Sequence, residues 1–210
     1  MAVTQAAILR TIAMILALSA LSGCSAISAI SNAARPLEVF ELRPPDNIPA
    51  ARGQLARDLI IEVPTTSGAL DTERIMIRPN PLQAQYLPGV RWSGQLPTMV
   101  QTLLLRTIED TGGLRYVGRR PLGARGDYAL VTEIVDFQAE AIPGSGGATV
   151  DIRLISRIVL ESDAQILASR TFAASAATTT TATDPLIVAF DAAADQILPD
   201  FAAWVLSVLR

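Results

Sequence analysis

The sequence predicts an α+β fold: an antiparallel-rich, mixed sheet with two main helices packed on one of its faces. Three observations lead there. A period of two, clearest from Thr149 to Glu161, marks half-buried strands. A spacing of three and four residues at Val100, Leu103, Leu104, Thr107 and Ile108 marks a helix in mid-chain. A broad apolar face made by Phe190, Ala194, Ile197, Phe201, Trp204, Val205 and Val208 marks a second helix at the end.

The opening residues are an address rather than fold. Arg10 precedes an apolar run from Thr11 to Leu21, too short to cross roughly 30 Å of hydrocarbon as a helix. The run ends in Leu21-Ser22-Gly23-Cys24, which resembles the lipobox of bacterial lipoprotein signal peptides. That resemblance implies a signal peptide over 1–23, cleavage after Gly23, and a diacylglycerol thioether on Cys24 with acylation of the new amino group. Two or three acyl chains anchor firmly, whereas one is marginal. The competing reading is an ordinary secretory peptide with an incidental cysteine. Cys24 is the only cysteine, so no intramolecular disulfide can form. Ser25, rather than aspartate, follows it, which by the sorting rule of such lipoproteins favours the outer membrane over the inner.

Residues 24–36 are Ser/Ala-rich and read as a lipidated flexible tether, with a short helix as the alternative. Residues 37–210 then form a single periplasmic domain, large enough for its own core. Leu37 to Leu42 is a first strand, stopped by Pro44-Pro45. A second runs from Leu55 to Val63 and is closed by Pro64, with Thr65 to Gly68 as a loop. Arg74 to Arg78 is a third, ended by Pro79 and Pro81. Tyr86 and Trp92 stand in a Pro-rich loop. They either close the sheet edge or present a contact surface to a partner or a lipid, since both residue types are common interface anchors.

Pro97 suits the first turn of the central helix, and Gly112-Gly113 ends it. Strands follow at Leu114 to Val117 and Tyr128 to Ala139, then from Thr149 to Glu161, with Ser162-Asp163-Ala164 turning into Ile166 to Phe172. Ala173 to Thr183 is a low-complexity Ala/Thr stretch not predicted as core. Asp184 is placed to cap the last helix with Pro185 at its first position, and Pro199 to bend or divide it.

Composition excludes several chemistries. The chain has no histidine and no lysine, all seventeen basic residues being arginine. A Ser/His/Asp triad, a serine–lysine dyad and a P-loop are therefore closed off. A net charge of −3 argues against nucleic acid. Glu133, Asp136 and Glu140 lie close in sequence and could serve as an acid–base pair, but regular alternation puts Glu133 on the opposite strand face from the other two. Solvated surface is the preferred reading. Gly144-Ser145-Gly146-Gly147 fits a hairpin turn better than a phosphate cradle, because a strand follows it and not a helix. Arg115, Arg119, Arg120 and Arg125 are either ordinary surface arginines or a patch for lipid headgroups or an acidic partner. No motif calls for a cofactor or a metal, and the chain is not predicted to be an enzyme.

The order of features resembles the auxiliary lipoproteins of MCE-type ABC lipid-transport systems. The likeness runs through Val39-Phe40-Glu41-Leu42, Leu59 to Pro64, Arg74 to Arg78, Tyr86, Trp92, Leu103-Leu104, Gly112-Gly113, Asp127 to Leu130, Phe137, Arg170, Phe172 and Trp204. It implies a non-catalytic accessory that helps move phospholipids or sterol-like lipids across the envelope. Its implied partners are an MCE-domain substrate-binding protein, an ABC permease and ATPase, and a membrane reached through the lipid anchor. An envelope scaffold, for outer-membrane assembly or for activating cell-wall synthesis, is the alternative.

Overall fold

The computed structural model describes residues 36–120 and 126–210. The signal segment, Cys24 and nearly all of the tether lie outside the described residues, as does Arg125. In chain order the elements are β1 (Glu38–Phe40), β2 (Leu55–Ile61), β3 (Thr65–Thr66), β4 (Met76–Asn80), β5 (Gln83–Tyr86), β6 (Val90–Trp92) and α1 (Leu96–Glu109). Then come β7 (Leu114–Gly118), β8 (Tyr128–Ala141), β9 (Ala148–Leu160), β10 (Gln165–Thr178) and α2 (Thr183–Val208).

The main sheet has the order β10-β9-β8-β2-β7. Along one side β8 is paired throughout its length with β9; its other side is shared in turn by β2, β3 and β4, all parallel to it. The long β8–β9 and β9–β10 ladders are antiparallel, β5 folds back on β4, and β1 and β6 form a separate parallel pair. The fold is therefore the predicted mixed α+β sheet with its two helices. Its core includes Ile61, Trp92, Leu104, Phe137, Ile152, Phe190 and Phe201.

Local sequence explains most of this. Val150, Ile152, Leu154 and Ile158 of β9 are buried while their neighbours are not, so one face meets the helices. The α1 stripe is buried as its spacing requires, and Gly112 past its end takes a positive φ of 62° that glycine tolerates.

Other segments depart from the pattern for identifiable reasons. Thr65–Thr66 is a short strand rather than a loop, paired with Glu133 and Ile134 of β8. Pro79 lies inside β4, at a register irregularity between Ile77 and Asn80 where no ladder donor is required. β2 stops at Ile61, and Val63 beyond it is exposed. The Ala/Thr stretch continues β10 to Thr178, with Phe172 buried and Ala174 and Ala176 packed against the core. Asp184 does not cap α2. Ala182 holds the cap position without a side-chain bond, and Asp184 lies in the first turn, where its charge suits the helix dipole. Pro199 is accommodated within one helix rather than dividing it.

Candidate functional site

Tyr86 and Trp92 are on strands, not in a loop. Trp92 is only 1% exposed, its ring edge-on to Phe137 at 5.9 Å and to Phe190 at 5.2 Å, so its indole fastens β6 to β8 and α2. Tyr86 is half-buried: its hydroxyl donates to the Ala69 carbonyl at 2.9 Å and the Arg74 guanidinium lies over its ring at 4.3 Å. Of this pair, Tyr86 is the one with surface left to offer.

The three neighbouring carboxylates are arranged by a β-bulge. Ile134 pairs with Leu154 but Asp136 pairs with Arg153, which leaves Val135 as the extra residue. Alternation changes phase there, so Glu133 falls on the same outer face as Asp136 and Glu140, contrary to the regular-strand expectation. Asp136 accepts from Arg153 at 2.6 Å, Gln138 donates to Asp136 and Glu140 at 3.3 and 3.4 Å, and Arg78 Nε stands 4.0 Å from Glu140. Asp136 and Glu140 are thus paired with neighbours on this strand face, where with Asp151 they line a shallow recess of about 220 Å³. Among the described residues, no group of three or more acidic or thiol side chains is placed to hold a metal.

The described arginines of the predicted patch are engaged with their neighbours. Arg115 donates to Asp58 at 2.7 Å and to Asp127 at 3.4 Å, and its hydrogen bond holds the Asp58 carboxyl below the usual aspartate range. Arg119 donates to Gln101 at 3.1 Å and to Thr102 at 2.7 Å. Arg120 bridges Glu62 and Glu161, which fastens the chain beyond β2 to the end of β9. The Gly144–Gly147 segment is the β8–β9 hairpin turn, with Gly144 and Gly146 at positive φ.

An apolar recess was not legible in the sequence. Where residues 49–54 meet the last turns of α2, a cleft of about 680 Å³ is walled by Ala51, Leu55, Gly113 and Leu206, with Arg52 and Arg210 beside them. A second cleft of about 330 Å³ shares Ala51, Arg52, Leu206 and Arg210. The floor is tight: a Cβ on Gly113 would lie 2.6 Å from the Leu206 side chain. Apolar walls beside two guanidinium groups suit a ligand with an apolar body and an anionic head. Arg52 and Arg210 come from distant parts of the chain, so no spacing announced them. No helix among the described residues is long and apolar enough to cross a membrane.

Comparison with known proteins places this geometry in a group. The chain is 29% identical over 168 residues to an uncharacterized protein of Bradyrhizobium diazoefficiens, an alignment covering 79% of this chain and 44% of that protein. It thus spans less than half the length of that relative. The crystal structure of protein XCC0632 from Xanthomonas campestris superposes with a TM-score of 0.67 at 25% identity, over 81% of this chain and 95% of that one. The hypothetical protein CT253 from Chlamydia trachomatis shares the fold at a TM-score of 0.50 and 8% identity, over 73% of this chain and 98% of that one. Residues 40–202 match the model of the ABC-type transport auxiliary lipoprotein components, and the chain belongs to that family.

Proposed function

We propose that this protein is a non-catalytic accessory of an MCE-type ABC system moving phospholipids or sterol-like lipids across the cell envelope. In this reading it is anchored through acylated Cys24 on the periplasmic side, at the outer membrane, and works beside an MCE-domain substrate-binding protein, a permease and an ATPase. The observation that carries the reading is the family match over residues 40–202, joined to the sequence resemblance to MCE-associated members. The Arg52–Arg210 cleft is where the domain would meet an anionic amphiphile, and Tyr86 with Arg74 is a candidate partner contact.

The test is purification of the detergent-solubilised chain from its host at native expression, beside a Cys24→Ala control, with mass spectrometry of co-purifying proteins and lipids. Recovery of MCE and ABC subunits, reduced in the control, is the expected result. Recovery of wall-synthesis or outer-membrane assembly factors without any MCE component would replace this reading with the envelope scaffold.

A further inference from the structure

The strand ladders bring three chain reversals to one end of the sheet. Ile77 and Arg78 of β4 pair with Ala139 and Glu140 of β8; Ala141 of β8 pairs with Ala148 of β9; and Ala148 pairs with Thr178 of β10. The β4–β5 turn, the β8–β9 turn and the chain leading from β10 into α2 therefore lie together. Three aliphatic side chains stand out there. Leu82 in the β4–β5 turn is 97% exposed, Ile142 in the β8–β9 turn 41%, and Val188 in the second turn of α2 68%. The segments 79–87, 141–150 and 171–183, which build this end, contain no charged residue. The charges that border it are Arg78, which faces Glu140 and donates to the Pro81 carbonyl at 3.2 Å, Asp151, which accepts from the Ser175 hydroxyl, and Asp184 in the first turn of α2.

The turns also satisfy polar groups of their own. Asn80 accepts from the Leu82 N–H at 3.2 Å and donates to Gln83 at 2.9 Å. Ile142 donates from its backbone to Gly147 at 2.9 Å and accepts from the Ser145 hydroxyl at 3.1 Å, while that hydroxyl accepts from the Gly147 N–H at 3.1 Å. These bonds pair part of the turns' polar groups internally, which lowers the cost of bringing them to the interfacial region, where the exposed amides of Gln83 and Gln85 stay hydrated. The most exposed side chains here are aliphatic, and the bordering Arg78 is turned to the Pro81 carbonyl and to Glu140 instead of standing free as an interface anchor. The segment from Cys24 to Arg35 spans about 40 Å when extended, which keeps a lipid surface within reach.

We propose that this uncharged end, led by Leu82 and Ile142, enters the interfacial region of the bilayer and sets the domain's orientation on it. The proposal rests on the Cys24 anchor for proximity alone. Because aliphatic side chains make the contact and the charge of Arg78 is matched by Glu140, it requires no anionic lipid and depends little on salt.

The experiment places an environment-sensitive fluorophore on Leu82→Cys in the full chain, bound to phosphatidylcholine vesicles containing doxyl-labelled lipid. Asp163→Cys, in the β9–β10 turn at the other end of the sheet, is the comparator. Cys24 is acylated in the anchored protein and absent from a parallel Cys24→Ala series at high lipid, so each sample has one free thiol. The expected result is quenching at position 82 and not at 163, with quenching at a Val188→Cys reporter lost when Leu82→Asp and Ile142→Asp are combined. An aqueous signal at 82, or equal quenching at 82 and 163, overturns the proposal. Shielding of 82 only on addition of a partner protein overturns it in favour of a protein dock. Mass spectrometry of Cys24 reports separately on the anchor, so a failed anchor and a failed membrane contact are told apart.

Discussion

Gln101 of α1 donates its side-chain amide to the Ile61 carbonyl at 2.7 Å, and its own carbonyl accepts from Arg119 Nε at 3.1 Å. One buried amide thus joins the end of β2, the central helix and the residues after β7. Gln101→Leu keeps the volume and the apolar surroundings but leaves the Ile61 carbonyl and Arg119 without this partner. Stranding a buried acceptor costs roughly 1–3 kcal/mol. Denaturant unfolding should show a lower midpoint with an unchanged slope; an unmoved midpoint would mean that water replaces the amide.

Trp92 is the hub of a second junction. Its ring meets Phe137 and Phe190 edge-on, while those two rings stack on each other at 5.4 Å. Trp92→Ala removes contacts from three elements together, and large-to-small changes of this kind cost about 3–5 kcal/mol. Trp92→Phe retains an aromatic partner and should lose much less. Thermal unfolding followed by circular dichroism distinguishes them, and similar losses in both variants would refute the packing role assigned to the ring.

The elements legible in the sequence were those whose hydropathy contrast is strong. β9 alternates large aliphatic residues with polar ones, and α1 repeats leucines at helical spacing, so each declares its buried face. β10 beyond Phe172 did not, because Ala, Ser and Thr differ little in hydropathy and the strand is held by its pairing with β9. The strands of Tyr86 and Trp92 do not show in the sequence because Pro88 and Gly89 divide them into pieces of only four and three residues, too short for a period of two to stand out. The recess beside Arg52 and Arg210 was hidden for a different reason: its parts converge only through long-range folding.

The pH dependence of stability contains two terms of opposite slope. Partial burial, followed by the negative charges of Asp191 and Asp46, raises the Asp195 carboxyl above the ordinary value of 3.8. The folded chain therefore holds this proton more tightly than the unfolded one. Its stabilising contribution is full below the unfolded value and is lost as pH rises through the raised folded value. Asp58 is held lower by Arg115, so its contribution is present above 3.8 and lost as pH falls through the depressed value. Asp195→Asn should therefore raise the melting temperature slightly near neutral pH and leave it unchanged in acid. The gain is small because the side chain remains largely solvated. Melting curves at neutral and acidic pH decide this, and a lower melting temperature for Asp195→Asn at neutral pH would contradict the sign.

The bulge at Val135 gives the last prediction. On its N-terminal side Leu130, Thr132 and Ile134 face the core; on its C-terminal side Phe137 and Ala139 do, so an extra residue is needed to change phase. Deleting Val135 makes Asp136 follow Ile134 directly. Ile134 still points inward, Asp136 outward toward Arg153, and Phe137 inward beneath Trp92. The deletion thus restores regular alternation instead of reversing it, and costs only the local twist that a bulge supplies. Deleting Gln138 instead would put Ala139 on the outer face and Glu140 toward the core, a buried charge without a partner there. The Val135 deletion should yield a soluble chain with native circular dichroism and cooperative unfolding at a modestly lower temperature, whereas the Gln138 deletion should not fold cooperatively. If both deletions unfold the chain alike, the bulge is required for strand curvature as well as for phase.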